Sequence, residues 1–375
     1  MHENGVSIDD HFSGITEPRD SNKRHNLLDI ITISLCAVIC GCDGFEQIEE
    51  FGNTKHDWFK TILELPHGIP SHDTLGRVFA AMDPVEFQEA FMSWMRAIQS
   101  VTLGEVVAID GKTLRRSHDK DANKKSIHMV SAWASHNRMV LGQMKTEEKS
   151  NEITAIPALL DLLDIHGCIV TIDAMGCQKD IAGQIVDQGG EYVLSLKGNQ
   201  GRLHEEIKFF FEDSLEDEFK GVDYRFHETV DGDHGRVETR RYWSVSDLDW
   251  LTEKGKWKAL STVVMVERVR DINDRISSEF SFYISSMEND PEKLARAIRN
   301  HWGIENSLHW VLDIAFREDE SRIRKKNAPE NMAVLRHMAL NLLKKENSKR
   351  RSIKTKRLKA GWDNQYLLEV LKGKV

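Results

Sequence analysis

Glu105-Val106-Val107-Ala108-Ile109-Asp110-Gly111-Lys112-Thr113 is the stretch from which the fold can be read. Val106 to Ile109 are the branched and small residues of a strand buried on both faces. Asp110 stands where the apolar run stops, and Gly111 reads as the point where the chain turns away. A second copy of the design lies downstream in Gly167-Cys168-Ile169-Val170-Thr171-Ile172-Asp173-Ala174. Two strands that each close on a carboxylate can bring Asp110 and Asp173 to neighbouring strand ends.

Between the two copies, residues 126–134 and 138–144 flank a turn at Asn137 and read as a hairpin joined to the first strand. Residues 151–163 carry Ile153, Ile156, Leu159, Leu160 and Leu163 at helical spacing. After Asp173 come a helix over 178–188 and a strand over 192–196 that closes on Lys197-Gly198-Asn199. The order strand, strand, strand, helix, strand, helix, strand predicts an α/β fold. Its centre is a ribonuclease-H-like mixed-sheet core whose first part spans 104–200. Such a core ends in a helix that supplies a third acid. Four strand-like alternations over 201–290 delay it as a β-rich insertion. The last catalytic helix then follows Pro291, in the final part of the core, 291–345. Leu294, Ile298, Trp302, Leu308, Val311 and Leu312 form one expected packed stripe, and Glu305 lies within it. A carboxylate there is expensive to bury unless it is paired or holds a metal.

Upstream, residues 1–22 are polar and read as a flexible terminus. Residues 23–101 read as a helical N-terminal domain, a candidate DNA-binding unit in which Ser71 or Asp73 caps a helix through Val78, Phe79 and Met82. Arg77 is the only strong base in that helix, so a helix-turn-helix reading is weakly supported. Cys36, Cys40 and Cys42 crowd one helix end without a partner at zinc spacing and read as packing thiols.

With 375 residues, of which 40% are apolar, the chain can bury the cores of two or three domains. Its most apolar run, 27–41, contains Asp29 and is too short to span a bilayer. Together with five scattered cysteines, this predicts a cytoplasmic protein with reduced thiols and no membrane segment. The net charge of −9 speaks against nucleic acid, but the average hides a basic C-terminal tail, 346–375. Nine of the sixteen residues from 344 to 359 are Lys or Arg, and Arg317, Arg322, Arg324, Lys325 and Lys326 precede them. A DNA-facing surface at this end gains weight from that clustering.

Carboxylates that converge repel one another unless a proton or a cation intervenes. Oxygen ligands of this type suit Mg²⁺ or Mn²⁺. Two ions about 3.5–4 Å apart would activate an attacking oxygen and stabilise a leaving one in phosphodiester chemistry. Solvated strand-end acids and an exposed helix Glu are the bland alternative.

Three motifs carry a family resemblance. They are Val106 to Ser117 around Asp110, Thr171 to Asp180 around Asp173, and Arg299 to Trp310 around Glu305. They resemble the signatures of the H-repeat-associated insertion-sequence transposases, DDE enzymes often linked to Rhs elements. The resemblance covers nearly the whole chain. It implies that Asp110, Asp173 and Glu305 are a metal-binding catalytic triad using two Mg²⁺ or Mn²⁺ ions. It further implies double-stranded DNA as partner, both element ends and target, and a dimer on DNA.

The chain departs from related transposases that surround the catalytic Glu with Tyr, Arg and Lys, since those positions hold Ile298, His301 and Leu312. Arg299, His301 and His309 are candidates to replace the lost phosphate contacts, with packing histidines as the alternative. Lys112, Lys197, Arg236, Arg240, Arg322, Arg324 and Lys325 complete the candidate DNA contacts. Trp243, Trp250 and Trp257 can stack on an extruded base, but core packing is the better expectation for each. Two rival functions stay open: a hydrolytic nuclease that cuts without joining, and a catalytically silent relic that binds DNA.

Overall fold

The computed structural model describes residues 8–20, 23–98, 102–118, 125–146, 152–233, 236–272, 275–348 and 350–373. The N-terminal part contains α1 (Ile8–Phe12), α2 (Leu27–Ile39), α3 (Phe45–Thr54), α4 (His56–Phe59), α5 (His72–Ala81) and α6 (Pro84–Ile98). Asn26 caps α2 by accepting from the Leu28 N–H at 3.1 Å, and Ser71 rather than Asp73 caps α5 through the Thr74 N–H. The expected flexible terminus is partly anchored, because Phe12 is buried edge-on against Phe87 and Trp94. Residues 1–7, 21–22 and 99–101 of the expected terminus and helical domain lie outside the described residues.

The chain then alternates β1 (Val106–Thr113), β2 (His128–Ala134), β3 (Met139–Thr146), α7 (Glu152–Asp161), β4 (Ile169–Ile172), α8 (Lys179–Asp187), β5 (Glu191–Leu196) and α9 (Arg202–Glu216). Four long strands follow: β6 (Tyr224–Asp233), β7 (Arg236–Val245), β8 (Thr262–Ile272) and β9 (Arg275–Ser285). All nine described strands form one sheet in the order β3-β2-β1-β4-β5-β9-β8-β7-β6. β1, β4 and β5 run parallel and the other pairings are antiparallel. The protein is therefore a mixed α/β fold with a large mixed sheet.

Both faces of the central strands are covered, as their apolar runs require. Val107 and Ile109 join a core with α7, α8 and α9. Val106 and Ala108 face the other way, toward Leu294 and Ile298 of α10 (Pro291–Ile304) and toward the helical core respectively. The insertion strands do not stand apart from the core. β9 pairs with β5, Val193 opposite Ser285 and Leu196 opposite Phe282, so the insertion continues the sheet.

A five-residue π-helical turn, Glu305–His309, joins α10 directly to α11 (Trp310–Ala315). Beyond it, α12 (Ala328–Lys345) is buried along most of its length, with Asn331 donating to the Phe79 and Met82 carbonyls and Asn341 bonded to both backbone groups of Val140. This helix thus ties the helical part to the sheet. The basic C-terminal tail carries α13 (Ile353–Trp362) and α14 (Asn364–Lys372). Lys356 donates to the Leu343 carbonyl and Arg357 to the Val38 carbonyl, so two of its bases are buried as structural donors.

Candidate active site

The register of the parallel strands places the two aspartates. Ile109 lies opposite Ile172, so Asp110 and Asp173 are the next residues on adjacent strands, where the parallel pairing of β1 and β4 ends. β1 itself continues to Thr113 with β2 alone as partner, so Gly111 is not the turn expected there. Its role is close approach. A Cβ at Gly111 would stand 2.4 Å from His128 Nε2 and 2.5 Å from Glu152 Oε1, which are paired with each other at 2.6 Å.

Glu305 comes from the other side. It opens the π-helical turn, and such turns are frequent at functional sites because the extra residue re-aims side chains. The expected packed stripe is corrected here. Trp302 is 43% exposed and the Glu305 side chain 52% exposed, while Leu294, Ile298, Ile304, Leu308 and Leu312 form the buried face. Glu305 therefore stands at the mouth of a cavity of about 330 Å³ that also holds Asp110, Asp173, Lys197, Arg268 and His301.

His309 closes the acid pair from within. Its Nδ1 lies 3.5 Å from Asp110 Oδ2 and 3.6 Å from Glu305 Oε2, with the ring almost wholly buried. Burial, reinforced by the Glu305 charge, pushes the Asp110 carboxyl well above the usual carboxylate range. Glu305 moves the opposite way, chiefly because His309 stabilises its charge. Asp173 Oδ1 is oriented by the Met175 and Gly176 N–H groups at 3.0 and 3.3 Å. His301 Nδ1 is 3.0 Å from Thr171 Oγ1, and burial lowers its pKa, which favours a neutral ring.

The candidate DNA contacts separate into groups. Lys197 and His301 share the cavity with the acids, and Arg299 is exposed beside it with Arg268, Arg270 and Trp302 in an adjoining groove. Lys112 is engaged elsewhere: its ammonium pairs with Asp313 and, at 2.8 Å, with buried Glu318. Arg240 is buried between Asp231 and Glu238. Arg322, Arg324 and Lys325 line a different cleft of about 720 Å³ shared with Arg77 and Arg317. The Arg236 side chain lies outside the described residues. Trp257 is buried and Trp250 stacks on Phe210 at 4.0 Å, as core packing predicts, and Trp243 lies parallel to Phe219. The sequence reading did not single out Arg268, whose guanidinium lies 5.5 Å from the Trp302 ring, because the contact joins an insertion strand to α10.

The sequence profile described as "Transposase DDE domain" matches residues 102–342, and that described as "DDE_Tnp_1-associated" matches residues 9–95. The chain belongs to the DDE-domain transposase family. It is 43% identical over 371 residues to "Putative transposase YncI" of Escherichia coli O157:H7, covering 97% of this chain and 94% of that protein. It is 42% identical over 370 residues to "H repeat-associated putative transposase YhhI" of Escherichia coli K12, covering 97% of each. A shorter relative, 48% identical over 54 residues and 14% of this chain, is named "Inactive transposase YbfQ". Among solved structures, a piggyBac transposase synaptic complex with hairpin DNA aligns over 93% of this chain and 73% of its own, with TM-score 0.44 and 11% identity. That likeness is too weak to argue from. The resemblance to H-repeat-associated transposases holds, and no helix of the described residues is long and apolar enough to cross a membrane.

Proposed function

We propose that this transposase has a ribonuclease-H-like core and cuts DNA at the ends of its element, then joins the freed 3′ ends to target DNA. The observation that carries the reading is the convergence of Asp110, Asp173 and Glu305 on one open cavity, from two adjacent parallel strands and the helix that crosses them. The central strand order β3-β2-β1-β4-β5, with three antiparallel and then parallel strands, supports the core assignment.

The acids fit a divalent cation. One oxygen of Asp110 and one of Glu305 lie with a His309 nitrogen within 4.8 Å of one another, close enough to converge on one ion, and like-charged carboxylates at such range favour a cation between them. Asp110, Asp173 and Glu305 would hold Mg²⁺ or Mn²⁺, two ions per site. When bound, these supply charge neutralisation and activation of the attacking oxygen. The residues of the chain do the rest. The Met175 and Gly176 amides fix Asp173, and the π-helical turn sets Glu305 beside Asp110. Lys197 in the cavity and the exposed Arg299 in the adjoining groove offer positive charge suited to phosphates, Arg268 being paired with Glu238 and Glu279, and the exposed Trp302 gives a face on which a base can stack. Water attacks first in this scheme, then the 3′-hydroxyl, which calls for two ends held together and hence a dimer on DNA.

Labelled DNA carrying the flanking ends, incubated with a target plasmid and Mn²⁺, tests the scheme. Nicked ends followed by joined products support transposition, and nicks without joining favour the nuclease. Specific end binding with no nick would leave the silent binder, and equal cutting by Asp110→Asn would overturn the triad.

A further inference from the structure

Behind His309 lies a small cavity of about 10 Å³, lined by Lys112, Ser131, Gln143, His309, Glu318 and His337 among others. Its walls carry several buried polar atoms with no hydrogen-bond partner: His309 Nε2, both amide atoms of Gln143 and His337 Nδ1, together with Glu318 Oε1, which has only Arg336 Nη1 at 3.6 Å. All four side chains are more than nine-tenths buried. Each such atom costs about 1–3 kcal/mol if left unpaired, so a cluster of this kind calls for an occupant. The volume is about that of one water probe, and the walls offer the two to four polar partners a buried water needs.

The front of His309 has different surroundings. Nδ1, one Asp110 oxygen and one Glu305 oxygen all lie within 4.8 Å of one another, on a group that can converge on one ion. Ligands about 2.0–2.2 Å from a six-coordinate cation stand roughly 3 Å apart when adjacent and 4.3 Å when opposite, so small side-chain shifts suffice. Imidazole binds such an ion through an unprotonated nitrogen, and its second nitrogen then donates to a carboxylate, a carbonyl or water.

Resting on the metal-dependent reading above, we propose that His309 is a nitrogen ligand of the catalytic cation through Nδ1, and that one buried water held by Gln143, Glu318 and His337 receives its Nε2–H. Glu318, itself fixed by Lys112 at 2.8 Å, gives that water an anionic acceptor. The arrangement makes Lys112 a positioning residue two steps from the ion. It also changes metal preference: a mixed oxygen and nitrogen site favours Mn²⁺ over Mg²⁺ more than three carboxylates do.

The test is electron spin-echo modulation of the full-length protein loaded with Mn²⁺. Wild type shows ¹⁴N modulation that changes to the ¹⁵N pattern when histidine is ¹⁵N-labelled, and His309→Ala abolishes it while Mn²⁺ still binds about tenfold or more weakly. If His309→Ala fails to fold, His301→Ala serves, and the modulation must persist there. Stoichiometric Mn²⁺ binding without ¹⁴N modulation, or modulation lost in His301→Ala, overturns the ligand assignment alone. No Mn²⁺ binding by wild type overturns the metal-dependent function itself. For the water, Gln143→Leu is expected to weaken Mn²⁺ about tenfold without lowering Tm, and unchanged affinity removes the water from the site.

Discussion

Acid should loosen the packing behind the candidate active site, and His337 is the group that reports it. His337 lies on α12, 3% exposed, and burial lowers its pKa to about 4 against the opposing charge of Glu318, with His309, Lys112 and Arg336 acting in the same direction as burial. A folded-state pKa below the ordinary 6.5 means that the unfolded chain binds the proton first. The stability this neutral ring contributes is therefore complete above about pH 6.5 and is lost as pH falls toward 4. A displacement of about 2.5 units corresponds to about 3 kcal/mol, a large part of the 5–15 kcal/mol typical of a domain. Glu318 continues the trend lower down. Buried and held at about 2 by Lys112 and Arg336 against the desolvation that opposes it, it loses its contribution as pH falls from 4.5 toward 2. Urea unfolding at steps from pH 7.5 to 4.5, for wild type and His337→Gln, isolates the histidine from other titrating groups. The wild type is expected to lose about 2–3 kcal/mol more than the variant over this range. Parallel curves would refute the buried neutral ring.

Gly111→Ala drives a Cβ into the His128–Glu152 pair and is expected to cost about 1–3 kcal/mol, read as a lower Tm with little change in DNA affinity per folded molecule. Lys197→Ala removes an exposed charge beside the acids, so element-end DNA should bind more weakly and the slope of log affinity against log salt should fall by about 1; an unchanged slope places the DNA elsewhere. Trp302→Ala, at a 43% exposed site, should leave stability within about 1 kcal/mol of wild type while weakening binding to single-stranded ends by about 1–3 kcal/mol, measured by fluorescence anisotropy.

Much of the candidate site's geometry was legible because it is written locally. An apolar run closing on Asp110 and another closing on Asp173 announce strand-end carboxylates, and the intervening hairpin and helix place those strands side by side. What escaped needed tertiary information. Gly111 looked like a turn because the close contact of His128 and Glu152 comes from β2 and α7, beyond any local window. The insertion looked separable because β9 finds its partner β5 some ninety residues earlier in the chain. Glu305 looks buried when Trp302 is read into the apolar stripe, but eight residues on from Leu294 an ideal helix has drifted about 80°, and the buried face runs through Leu294, Ile298, Ile304, Leu308 and Leu312, leaving Trp302 and Glu305 exposed. The basic C-terminus reads as a solvated tail in which a DNA-facing surface gains weight, but composition cannot tell a solvated lysine from Lys356 or Arg357, which donate to buried carbonyls. Lys112 likewise follows a catalytic-looking aspartate, yet its charge is consumed by Asp313 and Glu318 two hundred residues away.

The most direct measurement is Mn²⁺-dependent cleavage of labelled DNA carrying the ends that flank the gene, comparing wild type with Glu305→Gln. Glu305 is half exposed at the cavity mouth, so the substitution removes a charge without disturbing the core. Cleavage at the ends by wild type, reduced to background in Glu305→Gln, is the expected result. Cleavage by Glu305→Gln at the wild-type rate would contradict a catalytic site built from Asp110, Asp173 and Glu305.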